Sequence, residues 1–215
     1  MNTSTTAQAP ASLPASASAS ASTSAPAPVR LPARERLLAA ANELFYAEGV
    51  HTVGIDRVIE HAGVAKATLY STFGSKDELV RAYLEGRHSA IKAQLARELP
   101  TRYATARERL AGILEIRGET VSEPGFRGCA FVAASAEAGE GTAALQATTE
   151  YRAWFRALLR DLAAEAGAAD PDGLARQLHL LYDGMAATTW LDHDPSAVAD
   201  TVAAARTLID AAIPA

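Results

Sequence analysis

The chain has a single cysteine, Cys129, among its 215 residues. An intramolecular disulfide is therefore impossible, and zinc clusters built from several thiolates are excluded. No run of about 18 apolar residues, the length that spans a bilayer, is present. Charge is missing from the first 29 residues, which are almost entirely Ala, Ser, Thr and Pro. With neither a basic start nor a continuous apolar stretch, this segment does not read as a secretory signal. It reads as a disordered arm, because too few apolar groups are available to offset the entropy of ordering it. Strand alternation and internal repeats are absent as well. An excess of positive charge is also lacking: 20 Lys and Arg face 25 Asp and Glu, for a formal net charge of -5. That argues against a nonspecific nucleic-acid coat and against a binder of anionic membranes, so any contact with DNA must be local. A soluble, cytoplasmic protein is expected.

What the chain does have is helical periodicity, and 49% hydrophobic residues to build a core from. Leu37, Ala41, Leu44 and Phe45 share one stripe of a helix over 34–47 that Gly49 stops. A shorter helix is expected over 55–62, with Gly54 as N-cap and Gly63 in the left-handed conformation of a helix end. A third, over 65–72, offers Leu69 and Phe73 to the core. Ser75 and Glu78 stand at capping-box spacing and start a long fourth helix that is expected to end near Pro100. Further helices are read over 104–122, 129–138, 142–166, 171–189 and 195–213. Asp170 and Asp194 cap the last two ahead of a proline at the first helical position. The fold class is all-α.

The two short helices joined by a glycine turn, set on a preceding helix, form a helix-turn-helix whose second helix enters the DNA major groove. Lys66, in the first turn of that helix, faces backbone phosphates, while Thr68 and Ser71 are small enough to reach base edges. Tyr70 can do either, and Lys76 opens the next helix where free N–H groups also favour a phosphate. Spacing alone leaves open an ordinary helical bundle with a solvated polar face.

The run from Arg34 to Arg87 resembles the N-terminal domain of TetR-type transcriptional regulators. The resemblance is carried by Leu44-Phe45, Gly49, Ala62-Gly63-Val64, Thr68-Leu69-Tyr70, Phe73 and Ser75-Lys76 before an acidic pair. The chain departs from many relatives at Gly54 and Ala65, where a hydroxyl residue is common, and at Ala67, Ser71 and Thr72. The resemblance implies a homodimeric, ligand-responsive repressor with a helical C-terminal domain. It also implies a DNA-binding set of Gly54, Lys66, Ala67, Thr68, Tyr70, Ser71, Thr72 and Lys76. The expected organisation is an arm over 1–29, a head over 31–91 with its helix-turn-helix at 54–73, and a regulatory and dimerisation domain over 92–215.

Residues 30 to 88 hold eight basic and eight acidic side chains, leaving 12 Lys and Arg against 17 Asp and Glu elsewhere. An acidic body is repelled by DNA, which helps to orient the neutral head toward it. The last two helices are expected to pair with their copies in a second subunit through Leu178, Leu181, Met185, Val198, Val202, Ala205 and Leu208. A cavity for a small apolar or aromatic effector is expected among Tyr83, Arg87, His88, Phe126, Cys129, Phe131, Trp154, His179, Tyr182 and Trp190, since pockets combine aromatic walls with a few polar groups. Two alternatives use Cys129: a redox sensor, or an enzyme nucleophile with His179 or His88 as base. No cofactor is implied, and no pair among the five histidines, Asp192 and Asp194 has the i, i+4 spacing of a helical metal site.

Overall fold

The computed structural model describes residues 1–2, 31–136, 138–194 and 196–214. The arm expected over 1–29 lies, beyond its first two residues, outside the described residues. Among these the chain forms nine α-helices and no strand: α1 (Ala33–Glu48), α2 (Ile55–Ala62), α3 (Lys66–Phe73), α4 (Lys76–Arg102), α5 (Ala106–Val121), α6 (Ala130–Ala136), α7 (Ala143–Glu165), α8 (Pro171–Asp192) and α9 (Ser196–Ala212).

The first three helices are held together by the stripe that periodicity marks out. Leu37, Ala41, Leu44 and Phe45 of α1 are buried with Val58, Ile59 and Ala62 of α2 and Leu69 of α3. Each Leu-sized side chain taken out of water contributes about 1.5–3 kcal/mol. Gly63 ends α2 at φ 60° and ψ 46°, a conformation that costs a side chain with a Cβ but not glycine. The Arg36 guanidinium clamps this turn from α1, donating to the carbonyls of Ala62 (2.7 Å) and Gly63 (2.8 Å). Arg34 lies over the Phe73 ring at 5.4 Å and ties α1 to the end of α3.

Ser75 caps α4 by accepting from the Glu78 N–H at 3.1 Å, but only this half of the box forms. The complete box is at α5, where the Thr105 hydroxyl accepts from Glu108 N–H and the Glu108 carboxylate accepts from Thr105 N–H. Pro100 does not end α4, which continues to Arg102. A proline in the last turn removes only its own N–H, and the next bond, from Tyr103 N–H to the Leu99 carbonyl, still forms at 3.1 Å. Asp170 caps α8 ahead of Pro171, accepting from Gly173 N–H at 2.9 Å. Asp194 accepts from Ser196 N–H at 2.8 Å; Pro195, the residue expected to open α9, lies outside the described residues.

Helices α5, α7, α8 and α9 pack around Leu110, Leu114, Phe155, Leu159, Leu178, Met185, Ala205 and Ile209, all buried. Gly118 lets α5 and α9 approach closely, since a Cβ there would lie 2.4 Å from Val198 Cγ1. This packing corrects the expected pairing surface. Leu178, Met185 and Ala205 face the chain's own core, while Leu181, Val198, Val202 and Leu208 are half-buried. The large apolar side chains left exposed on α8 are Leu180, Trp190 and Leu191.

Candidate DNA-binding face and effector cavity

Leu69 is fully buried, and its anchoring sets which side of α3 faces outward: Lys66, Ala67, Tyr70 and Ser71 are exposed, Tyr70 to 46%. Thr68 and Thr72 are half-buried. The Thr68 carbonyl accepts from both the Ser71 hydroxyl (3.1 Å) and the Thr72 hydroxyl (2.6 Å), so those two protons are already used and the oxygens remain as acceptors. Helices α2 and α3 start at Gly54 and Ala65 without a side-chain cap, which leaves first-turn N–H groups for solvent or an anion. Two cations of α2 and α3 are paired with carboxylates. Lys66 Nζ donates to Asp56 at 2.8 Å, a bond that raises its pKa; Arg57 pairs with Glu48, and His61 meets Glu43 at 2.9 Å. Lys76 instead sits half-buried in a groove with Val50, Val80, Ala134 and Thr142, and burial lowers its pKa.

A cavity of about 150 Å³ lies between α1, α4, α5, α7 and the loop before α6, lined chiefly by Tyr46, Arg87, Ile91, Arg117, Phe126, Cys129, Phe131 and Tyr151. Phe131 stacks on Tyr151 with ring centroids 4.0 Å apart. Arg87 lies over the Tyr46 ring at 4.0 Å and the Tyr83 ring at 5.2 Å, and Arg117 over Tyr182 at 4.7 Å and Phe126 at 5.5 Å. Each such cation–π contact contributes about 0.5–2 kcal/mol. The Tyr46 hydroxyl donates to the Gly128 carbonyl (3.3 Å) and accepts from Arg127 N–H (2.9 Å), while the Arg127 side chain reaches the Ala47 carbonyl (3.3 Å). One side chain of α1 thus forms a cavity wall and fastens the loop beside it. Burial raises the pKa values of Tyr83 (to about 12), Tyr151 and Tyr182, and the nearby Cys129 thiol adds to all three.

A larger groove of about 470 Å³ lies between Tyr103, Arg107 and Arg206. Its charges are already matched, Arg206 with Glu115, Arg107 with Asp210 and Arg102 with Glu119, so it offers a ligand little that is unmet. The smaller cavity is the better candidate because its charged groups are not so paired.

The family model described as bacterial regulatory proteins, tetR family, matches residues 37–83, from within α1 to the second turn of α4. A TetR-family transcriptional regulator from Streptomyces coelicolor is 34% identical and superposes with a TM-score of 0.79, over 85% of this chain and 96% of that one. The chain belongs to the TetR family. A putative TetR regulator from Streptomyces avermitilis is also 34% identical, with a TM-score of 0.74 over 85% of this chain and 98% of that one. Among curated relatives, the transcriptional activator FasR of Mycolicibacterium smegmatis is 39% identical over 89 residues, 40% of each chain. The match therefore spans two-fifths of that relative's length.

As a TetR-family member the protein is a DNA-binding transcriptional regulator and not an enzyme. Of the groups named in the Cys–His alternative, Cys129 lines the cavity, His88 packs against Tyr151 and Trp154, and His179 is buried against Phe155. Among the described residues no three His, Cys, Asp or Glu side chains gather as a metal site, and no helix is long and apolar enough to cross a membrane.

Of the side chains expected around an effector, Arg87, Phe126, Cys129 and Phe131 line the smaller cavity. Tyr83 and Tyr182 stand behind its arginines, and His88 packs behind Tyr151 at 5.6 Å. Trp154 opens on a separate groove with Leu95, Leu99 and Leu158. His179 is buried edge-on against Phe155 at 5.1 Å, 3.6 Å from Asp183, and Trp190 is 38% exposed. Sequence reasoning missed Tyr46, Arg117 and Tyr151. Tyr151 carried a signal, one helical turn before Trp154; Tyr46 and Arg117 read as ordinary residues of half-exposed helices.

Proposed function

We propose that this regulator is a homodimeric repressor of a palindromic operator and that a small aromatic or apolar effector, held in the cavity at Arg87, Cys129 and Tyr151, releases it from DNA. The observation that carries this reading is the double engagement of Tyr46, which stacks under Arg87 in the cavity and is hydrogen-bonded to the 127–128 loop. A molecule entering the cavity must press on the head itself. Helix α4 is the second route, running without a break from the end of the helix-turn-helix past Tyr83, Arg87 and His88. Residues 31–91 then serve as the reading head and 92–215 as the regulatory and dimerising body.

On the operator, α3 presents Ala67, Tyr70 and Ser71 to the major groove with Thr68 and Thr72 at its flanks. Lys66 exchanges Asp56 for a phosphate, the uncapped start of α2 at Gly54 meets another, and Lys76 swings out to a third. Dimerisation uses the outer face of α8 with α9. Leu180, Gly184, Ala187 and Leu191 are exposed at i, i+4, i+7 and i+11, a stripe of small and apolar groups suited to close helix packing. Leu180→Glu combined with Leu191→Glu is expected to give a monomer by sedimentation.

The effector can change operator affinity only by its differential affinity for the two states, typically about 1–3 kcal/mol, and the operator must weaken effector binding by the same factor. Titration of the effector with and without operator duplex tests this. Equal affinities, for a compound that protects Cys129 from alkylation, would defeat the coupling. The second reading rests on Cys129 being half-exposed in the cavity, where small oxidants reach it. Loss of DNA binding on mild oxidation, abolished by Cys129→Ser, would favour redox control.

A further inference from the structure

Two guanidinium groups, Arg87 from α4 and Arg117 from α5, line the same cavity, and no carboxylate lines it with them. Neither forms an ion pair with an acid among the described residues, whereas several arginines elsewhere in the body do, among them Arg102, Arg152 and Arg206. The Nε–H of each is buried and meets no acceptor. The rings of Tyr46 and Tyr182 hold the two groups by their faces, 4.0 and 4.7 Å away, but a ring face does not take up N–H donors that point outward in the guanidinium plane. Arginines kept only for structure would be expected to find acids, because like charges sharing a half-buried site repel. Their other neighbours are Ile91, Phe126 and Phe131, with Thr120, Cys129 and Tyr151 as further polar groups of the lining and no acid among them.

We infer that the effector is an organic acid, whose carboxylate accepts hydrogen bonds from Arg87 and Arg117 together while its hydrocarbon part lies against Phe126 and Phe131. This rests on the proposed effector role of the cavity and adds the chemical class of the ligand. A carboxylate presents two coplanar oxygens that match planar guanidinium donors, and in a site shielded from water such bonds are stronger than neutral ones. The cavity, about 150 Å³, suits an acid group with one ring or a short chain, since an apolar cavity of about that volume takes up benzene. Drawing Arg87 toward the carboxylate lifts it from the Tyr46 ring and so acts on the head.

The test measures thermal stability of the full chain with benzoate, phenylacetate and hexanoate, each beside its carboxamide at equal concentration. At least one acid is expected to raise Tm by several degrees while its amide does not. The shift should disappear in Arg87→Met and in Arg117→Met but persist in Lys92→Met, which removes an exposed cation of the same helix. The inference is overturned if amides stabilise as well as acids, if no acid stabilises, or if the shift survives both arginine substitutions. Operator release by an amide and not its acid would leave the effector role standing and remove the anion. An acid that needs both arginines yet leaves operator affinity unchanged would do the reverse.

Discussion

On the outside of the head, Lys66 is paired with Asp56, Arg57 with Glu48 and His61 with Glu43, whereas in the cavity Arg87 and Arg117 have tyrosine faces and no acid. The difference follows from solvent. Exposed pairs are weak and screened by salt, so a phosphate can displace the carboxylate at little cost. Such cations can be stored in pairs and still serve DNA. A half-buried guanidinium bound to an internal acid would give up that partner only at high cost, so a site meant for an outside anion is better left without one. On the proposed reading, basic side chains are thus kept ready in two ways.

The largest test of this contrast concerns what holds α3 in place. Leu69→Ala empties a fully buried position and is expected to cost about 3 kcal/mol, read as a fall in Tm, with loss of specific operator binding. Wild-type binding by the folded variant would mean that the buried side of α3 does not set the exposed side. Next comes the junction. Tyr46→Phe keeps the ring under Arg87 but removes the hydroxyl shared with Gly128 and Arg127, for about 1 kcal/mol of stability. Effector and operator should then be less coupled in paired titrations; undiminished coupling would assign transmission to α4 alone.

Asp56→Asn sharpens the contrast from the head side. It frees Lys66 and removes a negative charge near DNA, so operator binding should tighten severalfold at low salt, with the gain fading as salt rises. Unchanged affinity at low salt would show that Lys66 does not leave Asp56 for a phosphate. The smallest expected effect is on pH dependence. Burial lowers the pKa values of His88 and His179, so both are held neutral in the fold. The unfolded chain takes up these protons first on acidification. The contribution is therefore fully present above the ordinary histidine value of about 6.5 and is lost as pH falls through the lower folded-state values. Tm should fall as the pH drops below about 6.5, and His179→Gln should shrink that fall. An unaltered pH profile in the variant would remove His179 as a source.

The α3 surface and the cavity differ in how far they could be read from sequence. Leu69 buried with Lys66, Ala67, Tyr70 and Ser71 outside follows from helical periodicity, because all five lie within two turns. So do the left-handed Gly63 and the Asp170–Pro171 start of α8. The Thr105–Glu108 box carried the same Thr-x-x-Glu signal as any capping box and went unread. The cavity was only half legible. Phe126, Cys129 and Phe131 suggested themselves by type, but Arg117 looked like one more solvated residue of α5, and Tyr46 meets Gly128 across 82 positions of chain.

Sequence by itself determined what depends on neighbours within a turn or two: to within a few residues where the helices start and stop, which stripe of α1, α2 and α3 turns inward, and the family that the run from Arg34 to Arg87 resembles. Tertiary structure decided what depends on which helices meet. It turned Leu178, Met185 and Ala205 into the chain's own core and left Leu180 and Leu191 outside, because the packing of α5, α7 and α9 against α8 selects one side of a helix that is apolar on more than one. It paired Lys66 with Asp56 and left Arg87 and Arg117 without acids. Charge pairing is a matter of distance in space, and the residues that settle it lie on different helices.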